Sequence, residues 1–260
     1  MMKLLKIFLL STLVVTNSFA ASDGEIEISK KAKNVKDCFE PLNRATFALN
    51  QNLDKIILKP IAKGYRTLPS PVRTGTRNVL DNLSNLITIP NNVLQGELGK
   101  AGINTGRLVI NTTIGILGIF DVADSLGFPE YVKEDYGQTL GSYGVGPGCY
   151  LVLPVLGPST VRDTAGSFIN VIGGDPWYNA SVNGNNEFLD ENIYMASKVL
   201  GAVDFRAKNI ESLDNLEKNS MDFYASVRSL YLQDRQMKIS NLENIVDAFE
   251  DGDWEEIDSN

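Results

Sequence analysis

Few residues of this 260-residue chain could do chemistry. Two carboxylates stand side by side at Glu134-Asp135, and a base and an acid at Arg162-Asp163. Adjacent carboxylates can divide acid and base roles, but a reaction also needs a nucleophile, a group that stabilises developing charge, or a ligand cluster. Neither pair comes with one, so both read as surface charge, with Arg162 and Asp163 able to pair with each other. The chain has no histidine, which removes the Ser-His-Asp triad, Cys-His dyads and histidine bases together, and disfavours a zinc centre. Gly144-x-Gly146-x-Gly148 lacks both the strand-then-helix setting and the Lys-Ser/Thr pair of a phosphate cradle, so it reads as turn structure. Cys38 and Cys149 are the two cysteines. No catalytic residue, metal or cofactor is expected.

The elements that carry these residues begin with an export signal. Lys3 and Lys6 precede an apolar run from residue 7 to 15, and Ser18-Phe19-Ala20 has the small-residue pattern of a cleavage site, so residues 1–20 read as a signal peptide. No cysteine follows the run where an acylated lipoprotein would carry one. An exported chain permits one disulfide. The formal charge is −8, and loss of Lys3 and Lys6 makes the mature chain more negative, which disfavours nucleic acid and long-range attraction to anionic head groups. A hydrophobic content of 43% supports a folded core.

Residues 21–36 form a polar leader. After it, Leu42, Ala45, Leu49, Leu53, Ile56 and Ile57 recur at three- and four-residue steps on one face of a helix. Pro41 suits its first turn and Pro60 is expected to end it. Asn43, Asn50, Gln51 and Asp54 fall on the other face, expected to be ordinary solvated surface. A second helix carries Val79, Leu80, Leu83, Leu86 and Ile87 and is expected to stop at Pro90. Residues 108–120 are uncharged but too few to span a bilayer. A buried core helix is the expectation; the alternative is a helix in the membrane plane with Asn111, Thr112 and Thr113 turned from lipid. Glycine and proline crowd residues 137–158 and predict turns or a short hairpin with an extended "YLVLP" arm. Two or three amphipathic helices follow from residue 186. Residues 238–260 read as an acidic, solvated tail. Apolar, uncharged and glycine-rich surface in an exported chain favours handling something greasy over catalysis.

Taken together, "DCFEPLNRATFALN", "DNLSNLITIPNNVLQG", "RLVINTTIGILGIFDVA", "EDYGQTLGSYGVGPGCYLVLPVLGPSTVRD" and "SLDNLE…DFYASVRSLYLQDR" occur in the order seen in the MlaA/VacJ family, which the chain resembles over about residues 37–235. The resemblance implies a mainly α fold: a ring of amphipathic helices lying in the membrane plane, with a Gly/Pro-rich hairpin loop and a central channel, here residues 37–237. It implies a component on the periplasmic face of the outer membrane, in the inner leaflet and often against a trimeric porin. Such a component removes misplaced phospholipid from the outer leaflet and passes it to a periplasmic lipid carrier, maintaining asymmetry without catalysis. A soluble periplasmic lipid-binding carrier is the alternative.

Carried onto this chain, the resemblance makes residues 43–52 a gate helix, with Asn43, Ala48, Leu49, Asn50 and Gln51 its site residues. Residues 134–153 become a hairpin loop beside the channel, with Glu134, Tyr136, Gly137, Gly141, Tyr143, Gly144, Gly146 and Tyr150 as candidates. Arg162 and Asp163 match the "RD" that follows. Two departures stand out. The family's acylated cysteine is missing, so an apolar rim and any porin contact would hold the protein. Cys38 and Cys149 replace family prolines, which suggests a disulfide between the gate helix and the loop; two free thiols are the alternative.

Overall fold

The structure, a computed structural model, describes residues 35–184 and 189–241. The expected signal peptide, most of the polar leader and most of the acidic tail lie outside the described residues.

The chain is mainly helical. Helix α1 (Glu40–Leu53), with Pro41 in its first turn, leads into a π-helical turn, Asp54–Leu58, and on into α2 (Lys59–Arg66). Pro60 therefore does not end the run. A proline inside a helix lacks an N–H and crowds the preceding turn. Here the wider π turn takes up the mismatch: the Lys59 N–H reaches back five residues to the Asp54 carbonyl, and Pro60 sits in the first turn of α2. Helix α3 (Ser70–Leu94) likewise runs through Pro90, where an end was expected. Beside the bond Pro90 cannot make, the buried Asn91 side chain donates to the Ile87 carbonyl at 2.8 Å, adding a tie to the loosened turn.

Helix α4 (Leu98–Thr113) packs along α3, and the short helices α5 (Val122–Ser125) and α6 (Tyr136–Ser142) follow. Strands β1 (Tyr150–Leu153) and β2 (Gly157–Thr160) form the expected hairpin, antiparallel, with Tyr150 opposite Thr160 and Leu153 opposite Gly157. Then come α7 (Val161–Ile169), a π turn at Asn170–Gly174, α8 (Pro176–Tyr178) and a π turn at Asn179–Asn183. Helices α9 (Glu191–Lys208), α10 (Ile210–Asn219) and α11 (Phe223–Ser240) close the fold. Side chains cap the starts of several helices: Asp135, Thr160, Asp190 and Asp222 each accept a first-turn backbone N–H. Among the described residues no helix is long and apolar enough to cross a membrane.

Burial is inverted relative to a water-soluble helical protein. Among the described residues, buried polar side chains outnumber buried apolar ones. The predicted apolar face of α1 points outward, with Leu42 66% exposed and Ile56 74%, whereas Asn43 on the opposite face is 2% exposed. The solvated-face expectation is thereby overturned. Residues 108–120 are not a buried core helix either. The helix ends at Thr113 and turns follow. Val109, Ile114, Leu117 and Phe120 are exposed and Asn111 is buried, but Thr113 is exposed too, so the in-plane alternative is met at Asn111 and not along the whole stretch. Apolar cores remain, but they are small: Val35, Tyr150, Val152, Tyr224 and Leu232 in one, Ala62, Ala207 and Ile210 in the other.

Candidate functional site

Asn43 and Asn50 lie seven residues apart, two helical turns, and so share one face of α1. That face docks on the hairpin. Asn43 Nδ2 donates to the Tyr150 carbonyl at 3.0 Å and to Asp37 at 2.7 Å, while its Oδ1 accepts from the Val152 N–H at 2.9 Å. Asn50 repeats the motif, donating to the Leu153 carbonyl at 2.9 Å and accepting from the Val155 N–H at 2.7 Å. The second contact clamps a turn in which Val155 takes a left-handed φ of 66°. Gln51 instead donates to Glu217 on α10 at 2.7 Å. Ala48 and Leu49 face outward. Cys38 and Cys149 are disulfide-bonded, with Cα atoms 5.6 Å apart, as the paired replacement of prolines suggested. The start of α1 and the start of the hairpin are thus joined covalently as well as by amide pairs.

The span 134–153 is only partly a hairpin loop. Its first third is the cap and helix α6, with Glu134, Tyr136 and Gly137 buried. Gly137 and Gly166 let α6 and α7 touch: a Cβ on Gly166 would lie 2.4 Å from the Gly137 nitrogen. Gly144 (φ 83°) and Gly148 (φ 70°) supply the left-handed turns expected of the glycine run. Gly141 faces Ile239 and Arg162, and Gly146 faces open space. Tyr143 is exposed and its hydroxyl donates to the Leu94 carbonyl; the Tyr136 hydroxyl donates to the Gly174 carbonyl at 2.7 Å. Tyr150 is fully buried, edge-on to Tyr224 and Tyr231.

The charged pairs are not on the surface. Arg162 and Asp163 are both buried and joined at 2.8 Å, and Asp163 also accepts from Tyr231 at 2.7 Å. Arg235 of α11 bridges Asp163 and Asp135. Burial alone would raise both carboxyls, but the Arg235 guanidinium holds them below the usual carboxylate range. Surface charge was the expectation because sequence neighbours do not show that a cation 72 residues away closes the network.

Glu134 belongs to a different group. It is 2% exposed, and Gln95 donates to it at 2.9 Å and to Thr139 at 3.1 Å. Burial pushes its carboxyl up to about 7, with the Gln95 hydrogen bond acting the other way. Asparagines extend this polar seam between α3 and α4: Asn85 donates to the Asn104 carbonyl at 2.8 Å, and Asn104 to Asn92 at 2.8 Å.

Two cavities flank α3. One is an apolar groove of about 1050 Å³, walled by Val72, Val79, Leu86, Leu108, Ile119 and Ile193 among others. It stands at the upper end of the roughly 300–1,000 Å³ typical of ligand sites. The other, of about 580 Å³, is lined by charged side chains, including Lys133 and Lys198. Leu80, Leu83, Trp177 and Ser197 line both, so they form the wall between them. Trp177 is held there by its indole N–H, which donates to Ser197 at 3.2 Å. None of these wall residues stood among the sequence candidates. Helical spacing placed Leu80 and Leu83 on an apolar face but could not show that the face lines a cavity.

Outward apolar helix faces, a polar interior, and an apolar groove beside a charged cavity define a helical protein of the lipid-handling class. The family model described as MlaA lipoprotein matches residues 35–238, and the chain belongs to the MlaA family. It is 29% identical over 236 residues to the intermembrane phospholipid transport system lipoprotein MlaA of Haemophilus influenzae, covering 90% of this chain and 89% of that one. The protein of the same description from Escherichia coli is 32% identical over 202 residues, 76% of each chain. An uncharacterised protein of Rickettsia bellii is 33% identical over 214 residues, covering 82% of this chain and 80% of its own. A solved structure described as "Structural basis for maintenance of bacterial outer membrane lipid asymmetry" superposes with a TM-score of 0.68 at 31% identity, over 78% of this chain and 99% of that one.

Proposed function

We propose that the protein lifts misplaced phospholipid from the outer leaflet of the outer membrane and hands it to a periplasmic carrier, from a seat in the inner leaflet against a trimeric porin. The observation that carries this reading is the apolar groove sharing a wall with a charged cavity. Acyl chains need a water-free apolar surface and a head group needs polar partners, so one lipid can bridge the wall. The step is transfer between environments and requires no bond to break. The exposed apolar rim contributes to holding the molecule in the leaflet.

In this reading α1 and the hairpin move together as the gate, with Asn43 and Asn50 setting their register. Deleting Leu49 and Asn50 rotates the rest of α1 by about 200° at 3.6 residues per turn. That rotation carries outward apolar residues such as Ile56 toward the polar interior and breaks the Asn50 clamp. The expected result is an abnormal amount of phospholipid in the outer leaflet of cells carrying the deletion. Unchanged lipid levels at normal protein amount would overturn the gate assignment. Recovery of the intact protein in the soluble fraction without detergent would favour a soluble carrier instead.

A further inference from the structure

A much smaller cavity, of about 30 Å³, lies between α3, α4 and the chain beyond them, and every residue lining it carries a polar group. Asn78, Asp81, Asn82 and Asn85 reach it from one face of α3, since steps of three and four residues bring side chains to the same side of a helix. The volume admits one ion or about two waters and excludes an organic ligand. The donors around it are committed elsewhere. Asn78 donates to the Ile119 carbonyl at 3.0 Å, Asn82 to Thr112 Oγ1 at 2.9 Å and Asn111 to Asp121 at 2.9 Å. The buried Arg107 is turned to Asp121 and to the Pro129 carbonyl. Asn85 decides what remains. It is 2% exposed and donates at 2.8 Å to the Asn104 carbonyl, which can only accept, so its nitrogen points there and its oxygen is left to the cavity without a partner. Asn82 Oδ1 is likewise buried without a partner. Half-buried Asp81 has no ion pair or side-chain hydrogen bond among the described residues; Arg77, one turn back on α3, binds Asp204 instead at 3.0 Å.

Acceptors from three side chains, one of them a carboxylate, thus line a cavity of ion size. A water brings two hydrogens to three acceptors and no charge to the carboxylate, whereas a cation serves all three at once. We infer that the cavity binds a calcium ion, held by the Asp81 carboxylate and the side-chain oxygens of Asn82 and Asn85. Amide and carboxylate oxygens are hard ligands, suited to calcium or magnesium and not to zinc or copper. Magnesium keeps several waters, for which this volume has no room; calcium accepts irregular sets of carboxylate and carbonyl oxygens. Asp121 is neutralised by Arg107, so Asp81 supplies the one effective negative charge. That charge count puts the site among weak calcium modules, with a Kd of about 10⁻⁴–10⁻³ M. Asp81 and Tyr131 also line the charged cavity, which gives the ion its way in. The site stands independently of lipid transfer.

The test is equilibrium dialysis of the full chain in detergent against radioactive calcium, with circular dichroism to verify folding. The wild-type protein is expected to bind one calcium ion per chain, saturably, in that range. Asp81→Asn keeps an oxygen in place but removes the charge, and should weaken binding about tenfold. Asn82→Asp adds a charge to which the Thr112 hydroxyl can donate, and should tighten binding about tenfold. Calcium held by scattered surface carboxylates would not move in opposite directions with these two changes. A wild-type protein with no saturable binding in that range has water alone in the cavity and overturns the site, as does an affinity unchanged in folded Asp81→Asn or Asn82→Asp. Displacement of the calcium by sodium at equal concentration overturns the choice of ion. Because binding is read first in the wild type, a variant that fails to fold does not rescue the proposal.

Discussion

Asn43 has both amide hydrogens and its oxygen committed to partners across the α1–hairpin seam. Asn43→Ala leaves a buried carbonyl and a buried N–H without partners, which should cost about 2–3 kcal/mol by chemical denaturation in detergent. Asn50 is half-buried, so Asn50→Ala should cost nearer 1 kcal/mol and should speed amide exchange at Val155. Equal costs at the two sites would contradict the difference in burial. Glu134 sets a pH dependence of opposite sign to the carboxylates held by Arg235. Its folded value of about 7 lies above the ordinary 4.5, so its contribution is full below pH 4.5 and is lost as pH rises through 7. Glu134→Gln should flatten that decline and make the variant more stable than wild type at pH 8, by up to about 3 kcal/mol. Asp135 and Asp163 are held low, so their contribution is present above the usual carboxylate value and fades on acidification. A denaturation series over pH 3–9 separates the two trends.

At the scale of elements, helical spacing found α1, α3 and the C-terminal helices, and glycine and proline found the hairpin. The same spacing could not say which face is inside. A 3.6-residue period marks two faces of unlike polarity, and the surrounding solvent decides which of them turns inward. Leu42 and Ile56 read as core and Asn43 as surface only if water is outside; the structure has the reverse. The prolines misled for a related reason: the rule that ends a helix at Pro60 or Pro90 assumes regular α geometry, and the π turn ahead of Pro60 escapes it. The Arg162–Asp163 pair was legible as neighbours able to pair, but the part of Arg235 was not, because it reaches Asp163 only after α7 and α11 pack. The Cys38–Cys149 bond was legible through the family comparison, since both replace prolines at positions the fold brings together. Closing a separation of 111 residues should stabilise by roughly 4–5 kcal/mol in the chain-entropy model. Cys38→Ser with Cys149→Ser should lower the denaturation midpoint accordingly, and reduction of the wild type should reproduce the shift. A variant as stable as wild type would show that the amide pairs alone hold the seam.

For the whole molecule, the exposed apolar side chains are too many and too large to be incidental on a protein surrounded by water. Ile56, Leu98 and Leu117 are each more than 60% exposed and lie on α1–α2, α4 and the turn after it. Each such side chain moved from water into hydrocarbon contributes about 1.5–3 kcal/mol. Changing all three to Asp should therefore shift the protein from the membrane pellet to the soluble fraction, with helical content unchanged by circular dichroism. Retention in the pellet at normal helical content would mean that a partner, not lipid contact, holds it. The disulfide also has a topological meaning at this scale. Helices α1 to α6, including α3 and α4, which supply most of the wall of the apolar groove, lie between Cys38 and Cys149. They form a closed covalent circle from which the hairpin and the last helices extend as a single arm. A protease that cuts any one loop of the circle opens it without releasing a fragment, so a nicked molecule stays one molecule for as long as its surroundings remain oxidising.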